Sequence, residues 1–207
     1  MLKQITGGLL LLLICSSFTL MGQAPTLDTF TSPDGTFRFV YPETYELLIG
    51  ERMLRATQGK HVGIPVCDFS TALACVIYPI ESSDDTNFEA AGFSVSSISG
   101  VGIESDCLAY ADQPRSPTER LELTSIVIND RVFRHAFMRK TVSGHSQAAD
   151  SYRTFDRQRC YELRVQVSVS DQPEIQMTPQ LRSLGNAKAE NARESLKLIL
   201  SSVVFQR

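Results

Sequence analysis

The stretch from Cys160 to Ser170 constrains the fold of this chain more than any other. Bulky residues alternate there with polar ones without a break, as Tyr161, Leu163, Val165, Val167 and Val169 against Glu162, Arg164, Gln166, Ser168 and Ser170. A period of two places successive side chains on opposite faces of a pleated strand. One apolar and one polar face are typical of a half-buried antiparallel strand. We expect this strand to lie at the centre of a sheet.

The length and net charge of the chain limit the class of protein to which it can belong. The chain has 207 residues, which is enough for one domain with a hydrophobic core and short for two. Hydrophobic residues at 43% and charged residues at 21% are ordinary for a globular protein. The net charge of −3 argues against general nucleic-acid binding, which needs a basic surface. We therefore expect a single domain over residues 25–207 and no nucleic-acid partner.

Residues 1–24 have the pattern of a secretory signal peptide. Lys3 supplies a positive start, an apolar core follows over residues 9–14, and small and polar residues lead to Ala24. The apolar run is too short to favour a retained membrane helix. We expect cleavage between Gly22 and Ala24 or close by, and a secreted or periplasmic protein without a membrane span.

A lipid anchor at Cys15 is the alternative for this leader. Residues 12–15 are similar to a bacterial lipoprotein box, but Ile14 stands where a small residue is expected. Cleavage by an ordinary signal peptidase is therefore favoured over lipidation.

Four cysteines remain after cleavage: Cys67, Cys75, Cys107 and Cys160. An even number in an exported chain predicts two disulfides. Zinc ligation is the alternative, but it needs close pairs, and no CxxC or HxxxH occurs. Three pairings are possible. A local bridge between Cys67 and Cys75 is geometrically easy and would leave Cys107 with Cys160, so we prefer that pairing while the other two stay open.

Turn signals and periodicity outline the remaining elements. Ser32 to Gly35 predict a type I turn in a hairpin whose outgoing strand carries Phe37, Phe39 and Tyr41. Residues 121–170 predict a meander of about four consecutive strands. A helix capped by Asn186 should bury one face, formed by Ala189, Ala192, Leu196, Ile199 and Leu200.

Two segments resemble the PsbP-like family. Residues 30–42, an aromatic hairpin that closes on Tyr41-Pro42, resemble its opening hairpin, and residues 195–205 resemble its closing helix and terminal strand. The resemblance implies an α+β fold with a single antiparallel sheet flanked by helices, an α/β/α sandwich. It also implies a role that is mostly non-enzymatic. The chain departs from the family in having no tryptophan and in its cysteines.

Motifs for chemistry are missing. No G-x-S-x-G elbow and no S-x-x-K box occurs, and structural or surface roles are favoured for His135 and His145. A loop with acidic and amide side chains lacks the glycine and spacing of a calcium-binding EF-hand, namely Asp84, Asp85, Asn87 and Glu89. We predict no catalytic residue, cofactor or metal site. The alternative is an exported hydrolase, which a pocket with either histidine beside a carboxylate and a serine would support.

Charge is distributed unevenly along the chain. Residues 81–130 carry ten acidic and two basic side chains, a net −8, whereas residues 131–164 carry eight basic and three acidic ones, a net +5. A basic strand face could bind an anion, and its candidate residues are Arg134, Lys140, Arg153 and Arg164. The simpler alternative is that the two segments adjoin and neutralise each other as weak surface pairs. The favoured function is an exported, non-catalytic binding or assembly module for an unknown protein or a small anionic ligand.

Overall fold

The computed structural model describes residues 25–50, 66–67, 71–80, 86–110, 122–142, 144–170 and 178–206. The predicted leader, Cys15, Asp84 and Asp85 lie outside these ranges. The described chain forms ten strands and two helices. In order these are β1 (Leu27–Thr31), β2 (Phe37–Pro42), β3 (Glu46–Leu48), β4 (Ala72–Ile77), β5 (Phe88–Ile98), α1 (Glu104–Ala109), β6 (Glu122–Ile128), β7 (Arg131–Val142), β8 (His145–Asp156), β9 (Arg159–Ser170), α2 (Pro179–Ser201) and β10 (Val204–Phe205).

The strands form two antiparallel sheets, so the prediction of a single sheet flanked by helices was wrong. A seven-stranded sheet has the order β3-β4-β5-β9-β8-β7-β6, and a separate three-stranded sheet has the order β1-β2-β10. The amino-terminal hairpin pairs with β10 and adds no strand to the large sheet. Its aromatic row packs face to face on the large sheet instead, because Phe37 contacts Tyr161 and Phe39 contacts Phe93 edge-on. The described part of the fold is therefore mostly β.

The predicted meander is confirmed as β6 to β9, with β9 inside the large sheet between β8 and β5. A tight turn at Asn129-Asp130 joins β6 to β7, and both residues have positive φ, as a two-residue hairpin requires. The Asn129 side chain donates hydrogen bonds to the carbonyls of Ser201 and Val203, each at 2.8 Å. This hairpin therefore also holds the end of α2 in place.

Helix α2 covers the apolar face of the large sheet, the face that carries Phe93, Leu163, Val165 and Val167. All five residues of the predicted helix face are buried. The predicted cap was wrong, because the helix begins at Pro179 and the Thr178 hydroxyl accepts a hydrogen bond from the Leu181 amide. Proline suits the first helical turn since its missing N–H would have no partner there.

Close packing brings the first half of α2 against the start of β5. A Cβ atom on Gly185 would collide with the carboxamide of Asn87, so this buried helical position requires glycine. Neither helix in the described ranges has the length and apolar character needed to cross a membrane.

The polar face of the large sheet is buried as well, contrary to the expectation of a half-buried strand. We use the name polar face for the side that carries Ser94, Ser151, Arg153, Arg164, Gln166 and Ser168, of which all but Arg164 are buried. Helix α1 lies over one end of it, because Cys107 of α1 bonds to Cys160 of β9. The Tyr110 hydroxyl, which has one proton to donate, lies 2.9 Å from the carbonyl oxygens of both Arg134 and Ser151.

Both disulfides are present, in the pairing preferred from the sequence. Cys67 is bonded to Cys75 with a Cα–Cα distance of 6.2 Å, and Cys107 to Cys160 with one of 5.5 Å. Both distances are below the limit of about 7 Å for an unstrained backbone.

The longer disulfide should contribute more stability than the shorter one. In the chain-entropy model, replacing Cys107 and Cys160 together by alanine should cost about 4 kcal/mol, against about 2.6 kcal/mol for Cys67 and Cys75. Urea unfolding of the two double variants measures the difference. Non-reducing peptide mapping tests the pairing directly, and a peptide that links Cys75 to Cys107 would contradict it.

Leu196 provides a test of the helix packing with a control two residues away. Leu196 has no exposed surface, whereas Leu198 is 71% exposed on the same helix. Leu196→Ala should lower the free energy of unfolding by roughly 2–5 kcal/mol because it leaves a cavity. Leu198→Ala should stay within about 0.5 kcal/mol of wild type. Equal denaturation midpoints for the two variants would contradict the assigned helix face.

Candidate functional site

The four basic residues predicted as an anion surface share one side of the large sheet. The register pairs Arg134 with Arg153 and Lys140 with Gln147 across β7 and β8, and places Arg164 of β9 opposite Ser151. Cross-strand partners project from the same face, so all four lie on the polar face.

Arg153 is not available to a ligand. Its side chain is 2% exposed, its Nε donates to Glu162 Oε2 at 2.7 Å, and its guanidinium lies 4.1 Å from the centre of the Tyr110 ring. A buried arginine needs such partners because desolvation of its charge is otherwise unfavourable. Arg153 is therefore structural, and binding of an anion by the other three stays a prediction.

A groove of about 340 Å³ lies on the opposite, apolar side, between α2 and strands β7 to β9. Small residues make room for it, namely Ala148 on β8 and Ala189 on α2. Its lining is mixed, with apolar side chains (Phe137, Val167, Val169), uncharged polar ones (Ser146, Gln147, Asn186) and charged ones (Arg139, Glu190, Arg193). We refer to it as the α2 groove.

Asp150 is a buried charged residue that pairs with Arg193, one of the residues that line the groove. Its carboxylate is buried, with Oδ1 3.0 Å from His135 Nε2 and Oδ2 2.7 Å from Arg193 Nε. Burial alone would raise the pKa of Asp150, but hydrogen bonds from His135 and Arg193 and the charges of both hold it below its ordinary value. The carboxylate therefore stays ionised and fixes Arg193 in one position.

The arginines of the groove differ in their partners. Arg193 is bound by Asp150 and lies 5.2 Å from the centre of the Phe137 ring, with Glu190 Oε2 3.7 Å from its Nη1. Arg139 is exposed at the sheet side of the groove and forms no ion pair within the described part of the chain. Arg193 in the wall of the groove therefore has ion-pair partners, whereas Arg139 at its rim has none within the described residues.

His135 stands between a hydroxyl and a carboxylate, which is the order that nucleophilic catalysis needs. Thr124 Oγ1 is 3.2 Å from its Nδ1, and the ring stacks on Tyr152 with centres 4.6 Å apart. The carboxylate, however, is Asp150, whose charge Arg193 already compensates, and Thr124 is exposed on the edge strand β6. Neither Thr124 nor His135 lines the α2 groove. In the part of the chain that the structure describes, His135 and Thr124 therefore lie apart from the α2 groove.

His145 also lies near a carboxylate and a serine, but the carboxylate lies between the imidazole and the hydroxyl. Its Nδ1 is 2.6 Å from Glu89 Oε1, and the Ser168 hydroxyl donates to Glu89 Oε2 at 2.9 Å. The carboxylate stands in the middle, whereas a serine nucleophile needs the imidazole there to accept its proton. Through these two bonds the Glu89 carboxylate ties β5, β8 and β9 together.

Sequence reasoning missed Arg139, Asp150 and Arg193. Period-two alternation already separates Arg139 from Lys140, so the opposite orientation of Arg139 was recoverable from the predicted strand. Arg193 lies one turn after Ala189, at the margin of the predicted apolar helix face. The contact between Arg193 and Asp150 spans 43 residues of sequence and had no local signal.

Comparisons with known proteins give no family for this chain. No family model matches it, and no curated protein matches it in sequence. Solved structures do resemble it in fold. One from Bacteroides thetaiotaomicron is 11% identical with a TM-score of 0.43, over 86% of this chain and 48% of that one. This chain therefore spans about half the length of that protein.

Two further structures match over nearly their whole length. LpqN of Mycobacterium tuberculosis, described as involved in cell envelope biogenesis, is 9% identical with a TM-score of 0.48, over 88% of this chain and 91% of that one. The PsbP protein of the cyanobacterium Synechocystis is 12% identical with a TM-score of 0.42, over 90% of this chain and 96% of that one. At such identities the likeness concerns the fold alone, and nothing about function follows from it.

The network around Asp150 predicts a specific pH dependence. Asp150→Asn should destabilise the protein at pH 7 by less than the roughly 3–5 kcal/mol of a fully buried broken pair, since Arg193 is 23% exposed. The folded-state pKa lies below the ordinary 3.8, so the wild-type advantage is complete above that pH and declines as the pH falls through the folded-state value.

Urea unfolding of wild type and variant between pH 7 and pH 2 measures this advantage. Asp130→Asn, at an exposed turn position, is the control and should behave as wild type throughout. An advantage of wild type over Asp150→Asn that persists unchanged at pH 2 would contradict the assigned role of the carboxylate.

Proposed function

We propose that this chain is an exported, non-catalytic binding module whose α2 groove receives a segment of a partner protein that carries an acidic side chain next to an apolar one. The observation that carries this proposal is Arg139, which has no ion-pair partner within the described residues, at the rim of a groove that Phe137, Val167 and Val169 line in part. The two disulfides support an oxidising, extracytoplasmic location. Removal of residues 1–24 as a signal peptide and one domain over residues 25–207 belong to the same proposal.

The size of the groove suits a few side chains. Small-molecule sites commonly have volumes of about 300–1,000 Å³, so a groove of about 340 Å³ is at the low end. Phe137, Val167 and Val169 offer an apolar contact that one or two side chains of a partner would fill. A docked loop or strand would bury these side chains and use the rest of the helix surface for further contacts.

The charges of the groove favour an acidic group in the partner on one side. Arg139 stands at the β7 side, and Glu190 stands on the helix side, where it is 61% exposed beside Arg193. A partner carboxylate next to Arg139 would form a charge-assisted hydrogen bond, and the same carboxylate next to Glu190 would be repelled. This asymmetry would orient the bound segment across the groove.

Rigidity of the wall also suits a binding function. Asp150 anchors Arg193 through its Nε and Nη2 atoms, and Phe137 lies against the same guanidinium. Side chains that are already held in place lose little conformational entropy when a partner binds. The groove would therefore be preformed in the free protein.

Cross-linking in the native host tests the proposal. Arg139→Glu should remove the partners that wild type captures, because the rim charge changes sign. Arg38→Glu makes the same charge change at an exposed arginine of β2 and should leave capture intact. Thermal unfolding should show that both variants are folded. Partners that are captured equally by both variants, or lost equally from both, would overturn the proposed groove.

A further inference from the structure

Strand β6 is the last strand of the large sheet on the β7 side. In the described part of the chain it pairs with β7 alone, and seven of its residues take part in that pairing. The outer side of such a strand presents backbone N–H and C=O groups that the sheet itself does not satisfy. The strand at the opposite edge, β3, has only three residues and begins with the charged Glu46. Strand β6 is therefore the long edge of this sheet.

Strand β6 also lacks the features by which proteins usually protect such an edge. Residues 123–128 include no charged residue and no proline. The register between β6 and β7 is regular, without a bulge. Edge strands commonly carry lysine, proline or a bulge, because these prevent pairing with a strand of another chain. A regular, uncharged edge is instead a template for the addition of a strand.

The hairpin between β6 and β7 determines which backbone groups of β6 face outward. Its loop has two residues, so the flanking Ile128 and Arg131 form a hydrogen-bonded pair. The direction of the N–H and C=O groups alternates along a strand. Leu123, Ser125 and Val127 therefore turn these groups away from β7. The three residues are evenly spaced about Ser125, so a two-fold rotation about Ser125 brings the same three residues of a second copy opposite them.

The side chains of these residues match one another in the same rotation. All three lie on one face of the sheet, and the rotation sets Leu123 opposite Val127 of the second copy and Ser125 opposite Ser125. Val127 is 67% exposed, and its partner on β7, Val132, is 59% exposed. Apolar cross-strand pairs stabilise a sheet, whereas like charges opposite each other destabilise it. Self-pairing of β6 would cover Val127 and would set no like charges opposite each other between residues 123 and 127.

We propose that β6 pairs antiparallel with β6 of a second copy of this chain, so that two large sheets join into one continuous sheet about a two-fold axis at Ser125. The pairing forms about six backbone hydrogen bonds between the copies. Only this register pairs all three outward-facing residues of both copies. No residue of β6 lines the α2 groove, so the interface is separate from that groove.

Oxidative cross-linking of cysteine variants, with both native disulfides intact, tests the register. Ser125→Cys should link two copies, because hydrogen-bonded partners in antiparallel strands have Cα atoms about 5.5 Å apart, within the disulfide limit of about 7 Å. Thr124→Cys is the control. In the same register it lies diagonally from its own copy, at about 7–8 Å, and should not link. A mixture of Leu123→Cys and Val127→Cys should form the mixed disulfide.

Sedimentation velocity over a concentration series measures the association itself. Wild type should show a reversible equilibrium between monomer and dimer. Ser125→Pro should raise the dissociation constant at least about 10-fold, because it removes the central N–H of both copies. That N–H points away from β7, so the monomer should stay folded, which thermal unfolding checks. Arg139→Glu, in the α2 groove, should leave the dissociation constant unchanged.

Three outcomes would overturn the proposal. The first is a wild-type protein that is monomeric at every concentration. The second is Ser125→Cys linking no faster than Thr124→Cys, which would place any dimer interface elsewhere. The third is a folded Ser125→Pro variant that dimerises as tightly as wild type. If Ser125→Pro does not fold, the cysteine variants decide the question.

Discussion

Burial of both faces of β9 is the constraint on which the rest of the structure depends. Its apolar side, with Leu163 and Val165, lies under α2 and the aromatic three-stranded sheet. Its polar side is largely buried too, and Cys160 at its start is bonded to Cys107 of α1. A strand that is covered on both sides fixes its register strongly, because a slip of one residue would exchange the two faces.

Ion pairs hold the buried charged side chains of the large sheet in place. Asp150 faces the helix side and binds His135 and Arg193, so it connects two strands to α2. Three residues further along β8, on the other side of the sheet, Arg153 is held by Glu162 and Tyr110. Each buried charge has an opposite charge and further hydrogen bonds, which is the condition under which buried ions are tolerated. Arg139, Lys140 and Arg164 lack such partners within the described chain, and for that reason they are the candidates for binding.

Both histidines of the large sheet lie beside carboxylates. The carboxylate beside His135 is that of Asp150, which already pairs with Arg193. At His145 the Glu89 carboxylate lies between the imidazole and the Ser168 hydroxyl, a position that the imidazole takes in a catalytic triad. Both histidines therefore act as cross-links between strands. The described chain has a groove on one side of the sheet, whereas the donors without a partner on the other side, Gln147 Nε2 and Arg164 Nε, are buried. These features are chemically different, since the groove combines apolar, polar and charged side chains and the two donors are N–H groups that need an acceptor.

The local periodicity of the sequence, two in the strands and about 3.6 in the helix, determined much of this protein. It predicted β9, the meander from β6 to β9, the buried face of α2 and the common face of the four basic residues, because these are properties of local period. The preferred disulfide pairing also agreed with the structure. Tertiary structure alone decided that the strands divide into two sheets, that the polar face of β9 is covered, and that Arg193 meets Asp150. The periodicity of apolar residues in the sequence shows which residues share a face. Burial of that face and pairing of its residues depend on what packs against it from distant parts of the chain.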